Sequence, residues 1–89
     1  SLVYGDAEVG SELVSNPIPR AVSFTGSVMV GKTILKNAGI KKVALELGGN
    51  AATFIDESAN LEDAAKKCSI GAFINSGQVC ISLQRIYVH

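Results

Sequence analysis

Two short apolar runs, Ala21–Phe24 and Val43–Leu47, flank one segment of helical period with only brief links between them. That spacing constrains the fold more than any other feature. Ser27 to Ala38 carries Val28, Ile34, Leu35 and Ala38 near a 3.6-residue repeat, and Gly39 follows as a stop. A strand, a helix and a strand joined this tightly form a βαβ unit, which requires parallel pairing and a right-handed crossover. The chain is therefore expected to be α/β. A third strand is expected over Ala51–Ile55. Asn60 is a good helix N-cap with Glu62 and Asp63 in the first turn, so a helix should run from Leu61 to about Asn75. Ser76–Gly77–Gln78 breaks it, Cys80 follows in a loop, and Arg85–Val88 reads as a last strand. Before the βαβ unit, Leu2–Tyr4 reads as a strand already under way. Glu8–Val14 reads as a short helix closed by Asn16–Pro17 and Pro19.

Composition narrows the class. Of 89 residues, 47% are hydrophobic, more than a free-standing domain of this size usually exposes or buries alone. Some apolar faces should meet a partner or further chain, and the sequence is expected to be an internal section of a longer protein. Eight acidic residues balance eight basic ones without a basic run, which argues against a nucleic-acid or membrane-surface partner. No apolar stretch approaches the roughly 20 residues of a membrane span. Two cysteines, Cys68 and Cys80, do not make a disulfide framework, and with His89 alone they make no zinc site. No metal is expected, and a reducing, cytoplasmic setting is.

Gly26 to Thr33 satisfies the phosphate-loop pattern G-x-x-x-x-G-K-[ST] between a strand and a helix. Ala52 to Asp56 resembles an apolar strand ending in a magnesium-binding aspartate. A P-loop NTPase using Gly26–Thr33 and Asp56 is thus one reading. Against it, Val28, Met29 and Val30 are bulky for a loop that wraps phosphate. Only 24 residues separate Lys32 from Asp56. A dinucleotide is the second reading, because a helix amino end offers free N–H groups and a positive dipole to any pyrophosphate. A plain tight turn is the third.

Two further residues ask for an explanation. Cys68 fits a small buried hydrophobe in mid-helix, but Cys80 lies in Asn75-Ser76-Gly77-Gln78-Val79-Cys80, a loop. Glu46 interrupts the apolar run Val43-Ala44-Leu45-Glu46-Leu47 just before Gly48–Gly49. A carboxylate there is expected to be partly buried with a raised pKa, which suggests a functional group. The alternative is a strand-end glutamate facing water.

Phe24-Thr25-Gly26-Ser27 followed by Gly31, then Leu45-Glu46-Leu47-Gly48-Gly49-Asn50, then Gly77-Gln78-Val79-Cys80, resemble three signatures of the aldehyde dehydrogenase superfamily. Their order matches, as does the separation of 34 positions between Glu46 and Cys80. The resemblance spans essentially the whole chain and displaces the NTPase reading. It implies a section of that fold, with Ser1 to Leu47 ending a Rossmann-like cofactor domain and Gly48 to His89 beginning the α/β catalytic domain.

By the same resemblance, Cys80 is the nucleophile that forms a thiohemiacetal and then a thioester, and its N–H is one oxyanion donor. Glu46 activates the hydrolytic water. Thr25, Gly26, Ser27, Val30, Gly31, Leu47 and Gly48 hold NAD or NADP, and Lys32 is a solvated helix residue. The second oxyanion donor and the residues gripping the cofactor riboses lie outside this sequence, so the 89 residues alone are expected to be inactive. The partners implied are a small aldehyde and, in the full-length protein, a homodimer or homotetramer. The run Cys80-Ile-Ser-Leu-Gln-Arg-Ile-Tyr-Val resembles the branch containing lactaldehyde and semialdehyde dehydrogenases. Ser82 and Leu83 replace smaller residues there and are expected to change the wall of the substrate tunnel.

Overall fold

A computed structural model describes all residues, Ser1–His89. The chain forms two compact units, Ser1–Leu47 and Gly48–His89, each built on a pair of parallel strands.

In the first unit, α1 (Ala7–Ser15) precedes β1 (Ala21–Thr25), α2 (Val28–Asn37) and β2 (Lys42–Glu46). Asp6 caps α1 by accepting the Glu8 N–H, and Ser27 caps α2 by accepting the Val30 N–H. Strands β1 and β2 pair in parallel with Ala21 opposite Lys42 and Thr25 opposite Glu46, as a βαβ unit demands. Alternation along each strand turns Val22, Phe24, Val43 and Leu45 toward one face. There they pack under a small core of Val14 from α1 with Ile34 and Ala38 from α2. The Lys41 ammonium also donates to the Val14 carbonyl at the end of α1.

In the second unit, β3 (Ala51–Ile55) leads through a turn to α3 (Leu61–Phe73) and then to β4 (Leu83–Val88). Asn60 accepts the Asp63 N–H at 3.0 Å, the cap expected there. Strands β3 and β4 are parallel, and the register slips by one residue between Ala51 and Ala52, leaving Gln84 as an extra residue. Phe54 and Tyr87 stack across the pair with ring centroids 4.9 Å apart. Arg85 reaches back from β4 to donate to the Asn50 carbonyl at 3.1 Å.

The structure corrects two expected elements. Leu2–Tyr4 is exposed irregular chain and not a strand, because no neighbouring strand supplies a ladder for its backbone groups. Helix α3 ends at Phe73, short of Asn75. The next residues, Ile74–Gly77, make a tight turn in which Asn75 (φ 51°), Ser76 (φ 58°) and Gly77 (φ 74°) are all left-handed. Such a conformation costs a residue with a β-carbon about 1–2 kcal/mol. Local bonds offset part of that cost: Gln78 N–H donates to the Asn75 carbonyl at 3.1 Å, and Asn75 Nδ2 donates to the Gln78 carbonyl at 3.2 Å.

Candidate functional site

Thr25, Gly26 and Ser27 leave the carboxyl end of β1, the edge where α/β sheets present ligand-binding loops. Glu46 ends β2 on the same edge, directly opposite Thr25, and its carbonyl accepts the Gly26 N–H at 3.0 Å. All four are exposed. Ser27 Oγ accepts the Val30 N–H at 3.2 Å, which leaves the N–H groups of Val28 and Met29 without partners inside α2. An exposed helix start with free amides suits a pyrophosphate, so the residues present fit a dinucleotide. Gly31, four residues beyond Ser27, is buried, and a β-carbon on it would stand 2.8 Å from Cδ2 of Leu47. Gly31 thus lets α2 seat closely on the end of β2, and Leu47 is half-buried against it.

The geometry argues against the NTPase reading. In a phosphate loop the residues between the two glycines wrap the anion with free amides. Here Val28 to Gly31 are already helical, and the Gly31 N–H is taken by the Ser27 carbonyl at 3.0 Å. Lys32 points from the exposed side of α2. Asp56 is occupied locally: its Oδ1 accepts the Ser58 N–H at 3.0 Å and the Ser58 hydroxyl at 2.7 Å. Those bonds hold its carboxyl below the ordinary value of 3.8.

Glu46 differs from expectation. It is exposed within this chain, not partly buried. Strand alternation explains this: Lys42, Ala44 and Glu46 share the face opposite Val43 and Leu45, and α1 and α2 cover only the latter.

In the second unit, Gly48–Asn50 enters β3, and Cys80 stands in the loop between the left-handed turn and β4. The Ser82 N–H donates to the Val79 carbonyl at 2.9 Å, closing a turn with Cys80 and Ile81 at its corners. Cys80 is exposed and its N–H makes no backbone hydrogen bond. Cys68 is half-buried in α3. Ser82 is the residue that sequence reasoning misjudged. It was expected to alter a tunnel wall, yet it is 2% exposed and donates its hydroxyl to the Ala72 carbonyl at 3.1 Å. Nothing in its sequence neighbourhood signals that bond. No three His, Cys, Asp or Glu side chains gather as a metal site, and no helix is long and apolar enough to cross a membrane.

Comparison with known proteins bears on the whole chain. Residues 1–89 match the aldehyde dehydrogenase family. A 3-sulfolactaldehyde dehydrogenase of Priestia aryabhattai is 52% identical over 99% of this chain and 19% of its own length. A lactaldehyde dehydrogenase of Methanococcus aeolicus is 51% identical with the same two coverages. The crystal structure of a succinate-semialdehyde dehydrogenase from Burkholderia pseudomallei superposes with a TM-score of 0.88 at 40% identity, covering 98% of this chain and 19% of that one. The chain thus spans about a fifth of the length of these relatives.

Proposed function

Because the chain belongs to the aldehyde dehydrogenase family, we propose that it carries the nucleophile, the general base and part of the cofactor loop of an NAD(P)-dependent enzyme that oxidises an aldehyde to a carboxylic acid. The observation that carries this reading is the setting of Cys80, an exposed thiol at the corner of a turn with its own N–H free.

The Cys80 thiolate adds to the aldehyde carbon, forming the C–S bond as the carbonyl π pair moves onto oxygen. The free Cys80 N–H donates to that oxyanion. The nicotinamide, when bound, supplies the acceptor for the hydride that leaves the carbon. A thioester on Cys80 results. Glu46 takes a proton from water, whose oxygen adds to the thioester carbon. The C–S bond then breaks, releasing the acid and restoring the thiolate. Exposure of Glu46 at the end of β2 suits a group that must meet water.

Ser27 and the free amides at the start of α2 would hold the pyrophosphate, Thr25, Gly26, Leu47 and Gly48 the nicotinamide side, and Val30 the adenine side. Gly31 contributes by seating α2. The same proposal takes Ser1–Leu47 as the end of a cofactor domain and Gly48–His89 as the start of a catalytic domain. The relatives named for lactaldehyde, 3-sulfolactaldehyde and succinate semialdehyde support a small aldehyde as substrate.

The decisive experiment is Cys80→Ala in the full-length protein. Aldehyde oxidation should be abolished while cofactor binding, measured by fluorescence titration, stays largely intact. Turnover above about a tenth of wild type, a barrier change of under about 1.4 kcal/mol, would remove Cys80 from the role.

A further inference from the structure

Cys80 sits midway along a loop whose two ends meet at one atom. The Ala72 carbonyl, in the last turn of α3, accepts the Ser82 hydroxyl at 3.1 Å. A β-carbon on Gly77 would lie 3.1 Å from that same oxygen and 3.8 Å from Ser82 Oγ. Gly77 and Ser82 therefore form the neck of the loop, with Gln78, Val79, Cys80 and Ile81 outside it. Ser82 uses both of its donors here: its N–H closes the turn on Val79, and its hydroxyl fastens that turn to α3. It is also the only buried polar side chain in the chain, at 2% exposure. The carbonyls of a helix's last turn lack helical partners, so the Ala72 oxygen is free to take such a bond.

We infer that Ser82 is a positioning residue for the Cys80 thiol, acting by tying the neck of its loop to the end of α3. The inference rests on the reading of Cys80 as nucleophile. A reacting thiol must approach the aldehyde carbon along a narrow path, and displacements of about 1 Å can cost as much as 100-fold in rate. Opening the neck leaves the thiol chemically intact but broadens where it stands. The signature is a loss in kcat with little change in KM.

The test uses the full-length protein. Ser82→Ala should lower kcat for aldehyde oxidation by roughly tenfold or more, with KM within about twofold. The rate of Cys80 alkylation by iodoacetamide, read by mass on the Cys80 peptide, should shift several-fold. Gly77→Ala keeps the hydroxyl but forces the same neck apart, so it should give the same split between kcat and KM. The double variant should lose less than the product of the two single losses, because both act at one oxygen. If Ser82→Ala does not fold, Gly77→Ala carries the test by itself. Wild-type kcat in a folded Ser82→Ala protein, or in Gly77→Ala where that variant alone folds, overturns the inference even if stability falls. Activity retained by Cys80→Ala is a separate result, which removes the nucleophile and not the tether.

Discussion

The α-carbon of Gly49 faces the carbonyl oxygen of Cys80 so closely that a β-carbon placed on Gly49 would overlap that oxygen. The obstacle is backbone, not the end of a flexible side chain, so it cannot swing aside. Gly49→Ala must therefore move either the entry to β3 or the Cys80 turn. We expect kcat for aldehyde oxidation to fall about tenfold to 100-fold, with a stability loss of about 1–3 kcal/mol. Gly10→Ala in α1 is the control: nothing lies within 4 Å of the added carbon. It should be stabilising by roughly 0.5–1 kcal/mol. Equal thermal unfolding and equal kcat for Gly49→Ala and wild type would show that the contact relaxes without consequence.

Lys32 separates the two ligand classes that its motif permits. Its side chain is exposed on α2, and the residues before it are helical rather than looped. Lys32→Ala should change aldehyde oxidation by less than about tenfold, or roughly 1.4 kcal/mol. A phosphate-loop lysine contacts the β- and γ-phosphates and is indispensable. ATP hydrolysis that disappears in Lys32→Ala would sink the dehydrogenase reading.

Asp56 offers a titration with a definite sign. The Ser58 backbone N–H and then its hydroxyl favour the charged carboxylate, lowering its pKa below 3.8. A depressed folded pKa stabilises the folded state above the unfolded pKa, and that stabilisation is lost as pH falls through the folded value. Carboxyl-carbon NMR should give Asp56 a midpoint under 3.8, and Ser58→Ala should move it only part of the way back, since the backbone donor remains. A wild-type midpoint at or above 3.8 would contradict the hydrogen-bond geometry.

The elements that could be read from sequence are those with local determinants. Ala21–Phe24, the helix after Ser27 and Val43–Leu47 announce themselves through period and turn residues, and Asn60 announces its helix by side-chain chemistry. A break at Ser76–Gly77–Gln78 is legible, but the left-handed conformation of Asn75 and Ser76 is not, because neither residue type requires it. Its cause is tertiary: the chain must turn back so that Gly77 and Ser82 meet at Ala72. Leu2–Tyr4 has the composition of a strand, but strand formation depends on a neighbour that composition does not encode. The apolar run predicts Glu46 inside a strand that continues to Leu47; the strand instead ends at Glu46, and the exposure of its side chain depends on which face the helices cover. Of the candidate site, Cys80 could be singled out by its place in a loop, whereas Ser27 enters only through the family resemblance and its capping bond is visible only in the structure. The tether at Ser82 could not, because one hydroxyl in an apolar stretch carries no pattern.

Glu46→Gln tests the proposed second half of the reaction apart from the first. The strand ladder uses the Glu46 backbone, whose carbonyl accepts the Gly26 N–H, and the side chain is exposed. Exchanging the carboxylate for an amide of equal size should leave the fold and the cofactor loop unchanged. What it removes is a proton acceptor, an effect typically of 10²–10⁴ in rate. If Glu46 activates the deacylating water, the variant still forms the thioester on Cys80 and still releases one hydride per site. Reduced cofactor should then appear in a burst about equal to the enzyme concentration, followed by a steady rate slowed by about that factor. Added thiol should raise the steady rate, because a thiol nucleophile needs less help from a base than water does. A slow reaction with no burst would move Glu46 to an earlier step, activation of the Cys80 thiol itself. An unchanged steady rate would take it out of the chemistry.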